Sequence, residues 1–214
     1  MMSEILKYFA KYIEDELGIH YSEHNYFQLQ NRLEEIARLL GVASVENLYK
    51  QATVEISGQF KQLLLDIATN NETSFFRDHK VFTSIETNIL KQHTATHGTR
   101  PIKIWSAASS TGQEALSLAI LVAEFNLKTG SHLDVHILGT DISERVLTKA
   151  KHGIYTQLEV QRGLPVPYLV KYFKKDDRDN WTASPDLIKK NRIPQIKFKI
   201  DVYLSGKIRS DSLP

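Results

Sequence analysis

The sequence predicts an α/β chain in which an all-helical N-terminal domain precedes a parallel, doubly wound sheet. Three observations carry that expectation. Apolar residues recur at helical spacing through the first eighty positions. The period then changes, and two strand-like runs flank a strongly apolar helical stretch between residues 102 and 138. Each strand runs into a loop of small or acidic residues, which is the layout of a βαβ unit with a right-handed crossover.

In the first eighty residues, Ile5, Phe9, Ile13 and Leu17 form one stripe, and Gly18 is a natural stop. Ser22 is placed to cap a second helix striped by Tyr26, Leu29, Leu33, Ile36 and Leu40 and closed by Gly41. Ser44 opens a shorter segment through Val45 and Leu48, and Ser57 opens another through Phe60, Leu63, Leu64 and Ile67. Helices this short are not stable singly, so they are expected to pack as a small bundle. A polar break, Asn70-Asn71-Glu72-Thr73-Ser74, leads into Phe75-Phe76-Arg77-Asp78 and a helical pattern through Val81, Phe82, Ile85 and Ile89. The expected organisation is a helical domain over 1–80, a linker helix over 81–100 and a sheet domain over 101–214.

Within the sheet domain, Ile102-Lys103-Ile104-Trp105 reads as the first strand, residues 106–112 as a loop of small residues, and Glu114 to Phe125 as a helix. Leu133 to Leu138 reads as the second strand, ending at Gly139-Thr140-Asp141, and Ile196 to Ile200 as a third, ending at Asp201.

Composition narrows the function classes. There is no cysteine, which removes disulfides, thiolate metal sites and cysteine nucleophiles and fits a reducing compartment. No run approaches the ~18 apolar residues of a membrane helix, and the N-terminus lacks a signal-peptide layout. The expectation is a cytoplasmic protein without membrane insertion. Net charge is +2, distributed as +6 from Lys151 onward and −4 before it. The basic third is not interleaved with stacking aromatics, so nucleic acid is not the expected partner. The eight histidines show no ligand spacing, and no metal is expected.

Four sets of residues are able to carry chemistry. The loop Ser106-Ala107-Ala108-Ser109-Ser110-Thr111-Gly112 sits where ligands approach the carboxyl ends of strands, and small residues permit close approach. It holds one glycine, so it is neither a G-x-G-x-x-G fingerprint nor a P-loop, and it reads equally as a capped strand-to-helix turn. Asp141 is placed to accept ribose hydroxyls or, in Asp141-Ile142-Ser143-Glu144, to form a capping box. Asn71, Thr73 and Arg77 form a polar strip, read either as helix caps with a surface arginine or as ligand contacts with Arg77 opposite a carboxylate. Arg32 and Arg38 lie six apart on the second helix beside Glu34 and Glu35, with which solvated ends would pair.

Taken together, these segments resemble the chemotaxis receptor methyltransferases, the CheR family. Thr69 to Asp78 resembles that family's "T-N-x-T-x-F-F-R" junction. Trp105 to Glu114 is similar to its cofactor loop, W-x-A-A-x-S-x-G-E-E-P-Y-S, with Gln113 in place of the first Glu and Ala115-Leu116 in place of Pro-Tyr. Gly139-Thr140-Asp141-Ile142 with Ala150 to Tyr155 resembles its "T-D-I … A … G-x-Y" segment. The three motifs stand in the family's order.

The resemblance implies a Rossmann-like S-adenosylmethionine methyltransferase sheet, incomplete here because the family's "C-R-N-V-x-x-Y-F" strand has no counterpart and the first strand is left at an open edge. It implies methylation of glutamate side chains on methyl-accepting chemotaxis receptors or similar sensory proteins, with S-adenosylhomocysteine as product. Asn71, Thr73, Arg77, Glu114, Asp141 and Asp201 match cofactor contacts, and Arg32 and Arg38 match positions facing the receptor. The alternative is a non-catalytic module of the same family that binds S-adenosylhomocysteine or another nucleotide, or that completes its sheet with a partner, including an edge-paired homodimer.

Overall fold

The computed structural model describes residues 2–69, 71–97, 100–185 and 187, and the backbone strand 195–200. The chain divides at position 70/71 into two compact units.

The first unit is built from α1 (Met2–Leu17), α2 (Tyr26–Leu39), α3 (Val45–Val54) and α4 (Gly58–Ala68). Their buried stripes meet in one core around Phe9, Ile13, Leu29, Leu33, Ile36, Leu48 and Leu64. Phe9 packs edge-on against Phe60 at 5.8 Å and Tyr49 at 6.3 Å. Ser44 and Ser57 cap α3 and α4, their hydroxyls accepting the amides of Asn47 at 3.3 Å and Phe60 at 3.2 Å. Ser22 does not cap α2 as its position suggested. A 3-10 turn, Glu23–Asn25, intervenes, and Ser22 makes no side-chain cap bond there.

The second unit begins with α5 (His79–Ser84), which runs through a π-helical turn, Ile85–Leu90, into α6 (Lys91–His97). The expected stripe through Val81 and Ile89 is wrong: both are more than half exposed, whereas Phe82 and Leu90 are buried. The π turn accounts for Ile89, whereas Val81 precedes it and its neighbour Phe82 takes the buried place. The i→i+5 bonding of the turn puts Leu90 rather than Ile89 on the face of Ile85.

β1 (Ile102–Ala107), β2 (Val135–Asp141) and β6 (Gln195–Ile200) form a parallel sheet in the order β1-β2-β6. Ile102 is in register with Val135, and Asp141 with Ile200. α7 (Gln113–Thr129) and α8 (Glu144–His152) make the crossovers and pack on β2 and β6. Among the described residues β1 pairs only with β2. α7 is apolar nearly all round because it lies between the sheet and the π turn.

Between α8 and β6 the chain forms an insert that the sequence reading did not foresee. β3 (Ile154–Thr156), α9 (Gln157–Gln161), α10 (Val166–Tyr172), β4 (Phe173–Lys175) and β5 (Asn180–Ala183) make a small antiparallel sheet in the order β3-β5-β4. Strands of three or four residues are too short to show a period. Its hydrophobic side, Tyr155, Phe173 and Ala183, is buried in the same core as α7 and β2.

Candidate functional site

The site lies at the carboxyl ends of β1 and β2, where a parallel sheet brings a βα loop and a strand-end carboxylate side by side. β1 runs into residues 106–112, in which Ala108, Ser110 and Gly112 take positive φ of 52°, 50° and 89°. For the alanine and serine such backbone costs about 1–3 kcal/mol each unless neighbours hold it. Neighbours do. The Ser109 amide donates to the Thr140 carbonyl at 2.8 Å, and the Ser110 amide donates to Asp141 Oδ2 at 2.8 Å. Ala107 and Ala108 stay exposed at the rim, and Gly112 caps α7 without a side-chain bond to its first amides. The Ser109, Ser110 and Gly112 amides are therefore engaged within the protein, and what the loop leaves to an incoming ligand is close approach past small side chains and the positive end of α7.

Asp141 is 6% exposed. Its Oδ1 accepts the Ser143 amide at 2.9 Å, so it closes a turn two residues long rather than capping α8. The capping-box expectation is therefore corrected. Ser143 is the N-cap, its hydroxyl accepting the Val146 amide at 3.3 Å, and α8 starts at Glu144. Each Asp141 oxygen accepts one amide and keeps a second lone pair, which is the capacity needed for two ribose hydroxyls.

Glu114, exposed on the first turn of α7, accepts the Ser106 hydroxyl at 2.6 Å, and Ser106 Oγ lies 3.1 Å from Ser109 Oγ. On the other side of the loop, the Ser110 hydroxyl donates to the Asn71 carbonyl at 2.8 Å. Asn71, Glu114 and Asp141 are thus joined through one loop. Thr73 and Arg77 lie on the same strip as Asn71. Thr73 is half-buried, and Arg77 is exposed with its guanidinium on the Glu72 carbonyl at 3.3 Å. Asp201 lies outside the described residues.

Arg32 and Arg38 belong to the first unit, and the structure gives them different surroundings. Arg32 donates to the Tyr21 hydroxyl and, at 2.9 Å, to the Ala68 carbonyl at the end of α4, with its guanidinium 5.8 Å from the Tyr21 ring centroid. Arg38 is exposed. Six residues on a helix turn through about 600°, so the two side chains leave α2 about 120° apart.

Sequence reasoning missed several residues that shape the site. Ser110 joins Asn71 to Asp141, Ser117 accepts the Phe76 amide at 3.0 Å, and the buried Tyr155 donates its hydroxyl to the Thr111 carbonyl at 2.8 Å. Burial pushes the Tyr155 phenol well above its usual range, so it stays a donor wherever the protein is folded. The tyrosine was visible in the sequence, but only as the end of a motif. Among the described residues no three His, Asp or Glu side chains gather as a metal site, and no helix is long and apolar enough to cross a membrane.

A parallel α/β unit whose small-residue loop meets a strand-end carboxylate has the layout in which such sheets take up nucleoside ligands. Comparison with known proteins narrows that reading. The family model described as CheR methyltransferase, SAM binding domain, matches residues 71–203, well over half of the chain, and the chain belongs to that family. SAM here is S-adenosylmethionine. Chemotaxis protein methyltransferase 1 of Pseudomonas aeruginosa is 31% identical over 183 residues, covering 83% of this chain and 65% of its own length. The chemotaxis protein methyltransferase of Vibrio anguillarum is 34% identical over 183 residues, covering 85% and 66%. Chemotaxis protein methyltransferase Cher2 of Pseudomonas putida is 28% identical over 200 residues, covering 92% and 72%. The chain thus spans about two thirds of the length of the curated relatives it matches.

Proposed function

We propose that this protein binds S-adenosylmethionine at the loop 106–112 and methylates glutamate side chains of chemotaxis receptors or related sensory proteins. The observation that carries the reading is the Asp141 carboxylate. It is buried at the end of β2, holds the Ser110 and Ser143 amides at 2.8 and 2.9 Å, and keeps one lone pair on each oxygen beside a loop of small residues. Bound S-adenosylmethionine supplies an electrophilic methyl group on a sulfonium sulfur. The chain's own task is then binding and alignment. Asp141 is suited to the ribose hydroxyls, Arg77 to the carboxylate of the amino-acid end, and Asn71, Thr73 and Glu114 to the polar groups between them. A substrate glutamate is already ionised at pH 7, so no residue is needed as a base, and orientation with exclusion of water supplies the rate. Arg38, exposed on α2, is the residue of the helical unit suited to an acidic receptor segment.

Calorimetric titration with S-adenosylhomocysteine tests the site, and methyl transfer to receptor fragments tests the activity. Saturable binding that is lost in Asp141→Ala is the expected result. Tight binding that survives that substitution would place the ligand elsewhere.

A second reading, a module that binds the same ligand without transferring a methyl group and completes its sheet with a partner or a second copy, has one observation in its favour. β1 has one strand neighbour among the described residues, and its Trp105 is 59% exposed. Ligand binding without methyl transfer, together with a concentration-dependent dimer in sedimentation, would select it.

A further inference from the structure

The insert of β3 to β5 touches the strip 71–77 at a point where only one residue type fits. The Phe75 amide donates to the Arg162 carbonyl at 3.1 Å. The next residue, Gly163, has φ +92°, and a Cβ added there would lie 2.0 Å from the Phe75 carbonyl oxygen. That is a backbone atom with no flexible end to yield, so any side chain must push the strip away. Around this contact the Arg162 guanidinium pairs with Glu72, and the Phe75 ring packs edge-on with Tyr155 at 5.2 Å and Phe173 at 5.7 Å. Phe76, held at φ +46°, is fixed from the other side by Ser117, and its ring lies tilted 5.8 Å from that of Tyr168. The same insert reaches the loop itself, because Tyr155 donates to the Thr111 carbonyl.

We propose that the insert is a clamp that fixes the strip 71–77 against the loop 106–112, with Gly163 as its positioning residue and Tyr155 as its second tie. The proposal rests on the methyltransferase reading for what the two segments hold, but the clamp itself is a statement about the ligand-free chain. Gly163 touches no ligand. It acts through Phe75 on the placement of Asn71, Thr73 and Arg77.

The full chain and its Gly163→Ala, Tyr155→Phe, Arg77→Ala and Gly163→Ala/Arg77→Ala variants are compared by amide hydrogen exchange without ligand and by titration with S-adenosylhomocysteine. Gly163→Ala is expected to speed exchange of the Phe75 and Phe76 amides while β2 and the centre of α7 keep their protection. It is also expected to weaken binding by about tenfold, a penalty that falls well below additive once Arg77 is already truncated, because Arg77 is one of the contacts through which Gly163 acts. A general loss of stability would instead add to the Arg77→Ala penalty and overturn the positioning role. If Gly163→Ala fails to fold, Tyr155→Phe decides: unchanged exchange at Thr111 and its neighbours and unchanged affinity would overturn the clamp. A wild-type chain that binds no S-adenosylhomocysteine sinks the methyltransferase reading, and the clamp then stands or falls on exchange at Phe75 and Phe76 alone.

Discussion

Asp141 and Arg32 show how one side chain can be committed to the fold before any ligand arrives. Removing the Asp141 carboxylate leaves two buried amides, of Ser110 and Ser143, without their acceptor. Asp141→Ala should therefore cost about 1–3 kcal/mol of stability as well as ligand binding. Thermal denaturation beside the titration separates the two losses, and an unchanged melting temperature would show that the amides had found water. Arg32 and Arg38, alike in sequence, should part in the same way. Arg32→Ala takes away the donor to Ala68 and Tyr21 and should cost about 1–3 kcal/mol, read by urea unfolding. Arg38→Ala should leave stability unchanged within about 0.5 kcal/mol and slow methylation of receptor fragments, most at low salt. Equal stability losses would mean that Arg32 is not built into the bundle as described. The sequence exposes both arginines as helix residues with acidic neighbours; it does not show that the carbonyl at the end of α4 lies within reach of one of them, because that contact spans 36 positions.

At the scale of elements, the π turn and the α7–α10 contact decide which faces are buried. Leu90 is fully buried and Ile89 is 52% exposed. Leu90→Ala should cost about 2–5 kcal/mol, while Ile89→Ala should cost under about 1 kcal/mol. The reverse order in a denaturant series would restore the regular α-helical register read from sequence. Glu124 on α7 receives Lys171 Nζ and the Tyr172 hydroxyl of α10, each at 2.5 Å. Burial pushes its carboxyl up, but those bonds and the charges of Lys171 and Lys128 outweigh burial and hold it below the usual range. A depressed carboxyl adds stability above its unfolded value, and that stability is lost as pH falls through the lower folded value. Melting temperature should consequently drop more steeply for the wild type than for Glu124→Gln between about pH 5 and pH 3. Parallel curves would remove Glu124 from the acid response. The βαβ unit was legible because its strands and α7 each run long enough to show a period. The insert was not, since β3, β4 and β5 have three or four residues, too few to show a period, and β3 finds its antiparallel partner β5 more than 20 positions away.

For the molecule as a whole, the proposed division between a cofactor-binding unit and a receptor-facing helical unit can be measured without knowing the receptor. All the described residues proposed to contact S-adenosylmethionine fall in the unit 71–200, which coincides closely with the segment that the family model matches. Ligand that binds only the folded form of that unit stabilises it by RT ln(1 + [L]/Kd), about 2.7 kcal/mol at a hundredfold excess over Kd. Amide exchange with saturating S-adenosylhomocysteine should thus slow in the strip 71–77, in the loop 106–112, around Asp141 and through the core of α7. Exchange in α1 to α4 should not change. Protection spreading into α2 would instead bring the helical unit into the ligand site and make Arg32 or Arg38 candidates for ligand contact rather than receptor contact. Protection confined to the cofactor unit leaves α2, with Arg38 exposed on it, available to a protein substrate while the ligand is bound. That separation is what a transfer between a small donor and a large acceptor requires, because both must be held at once and released independently.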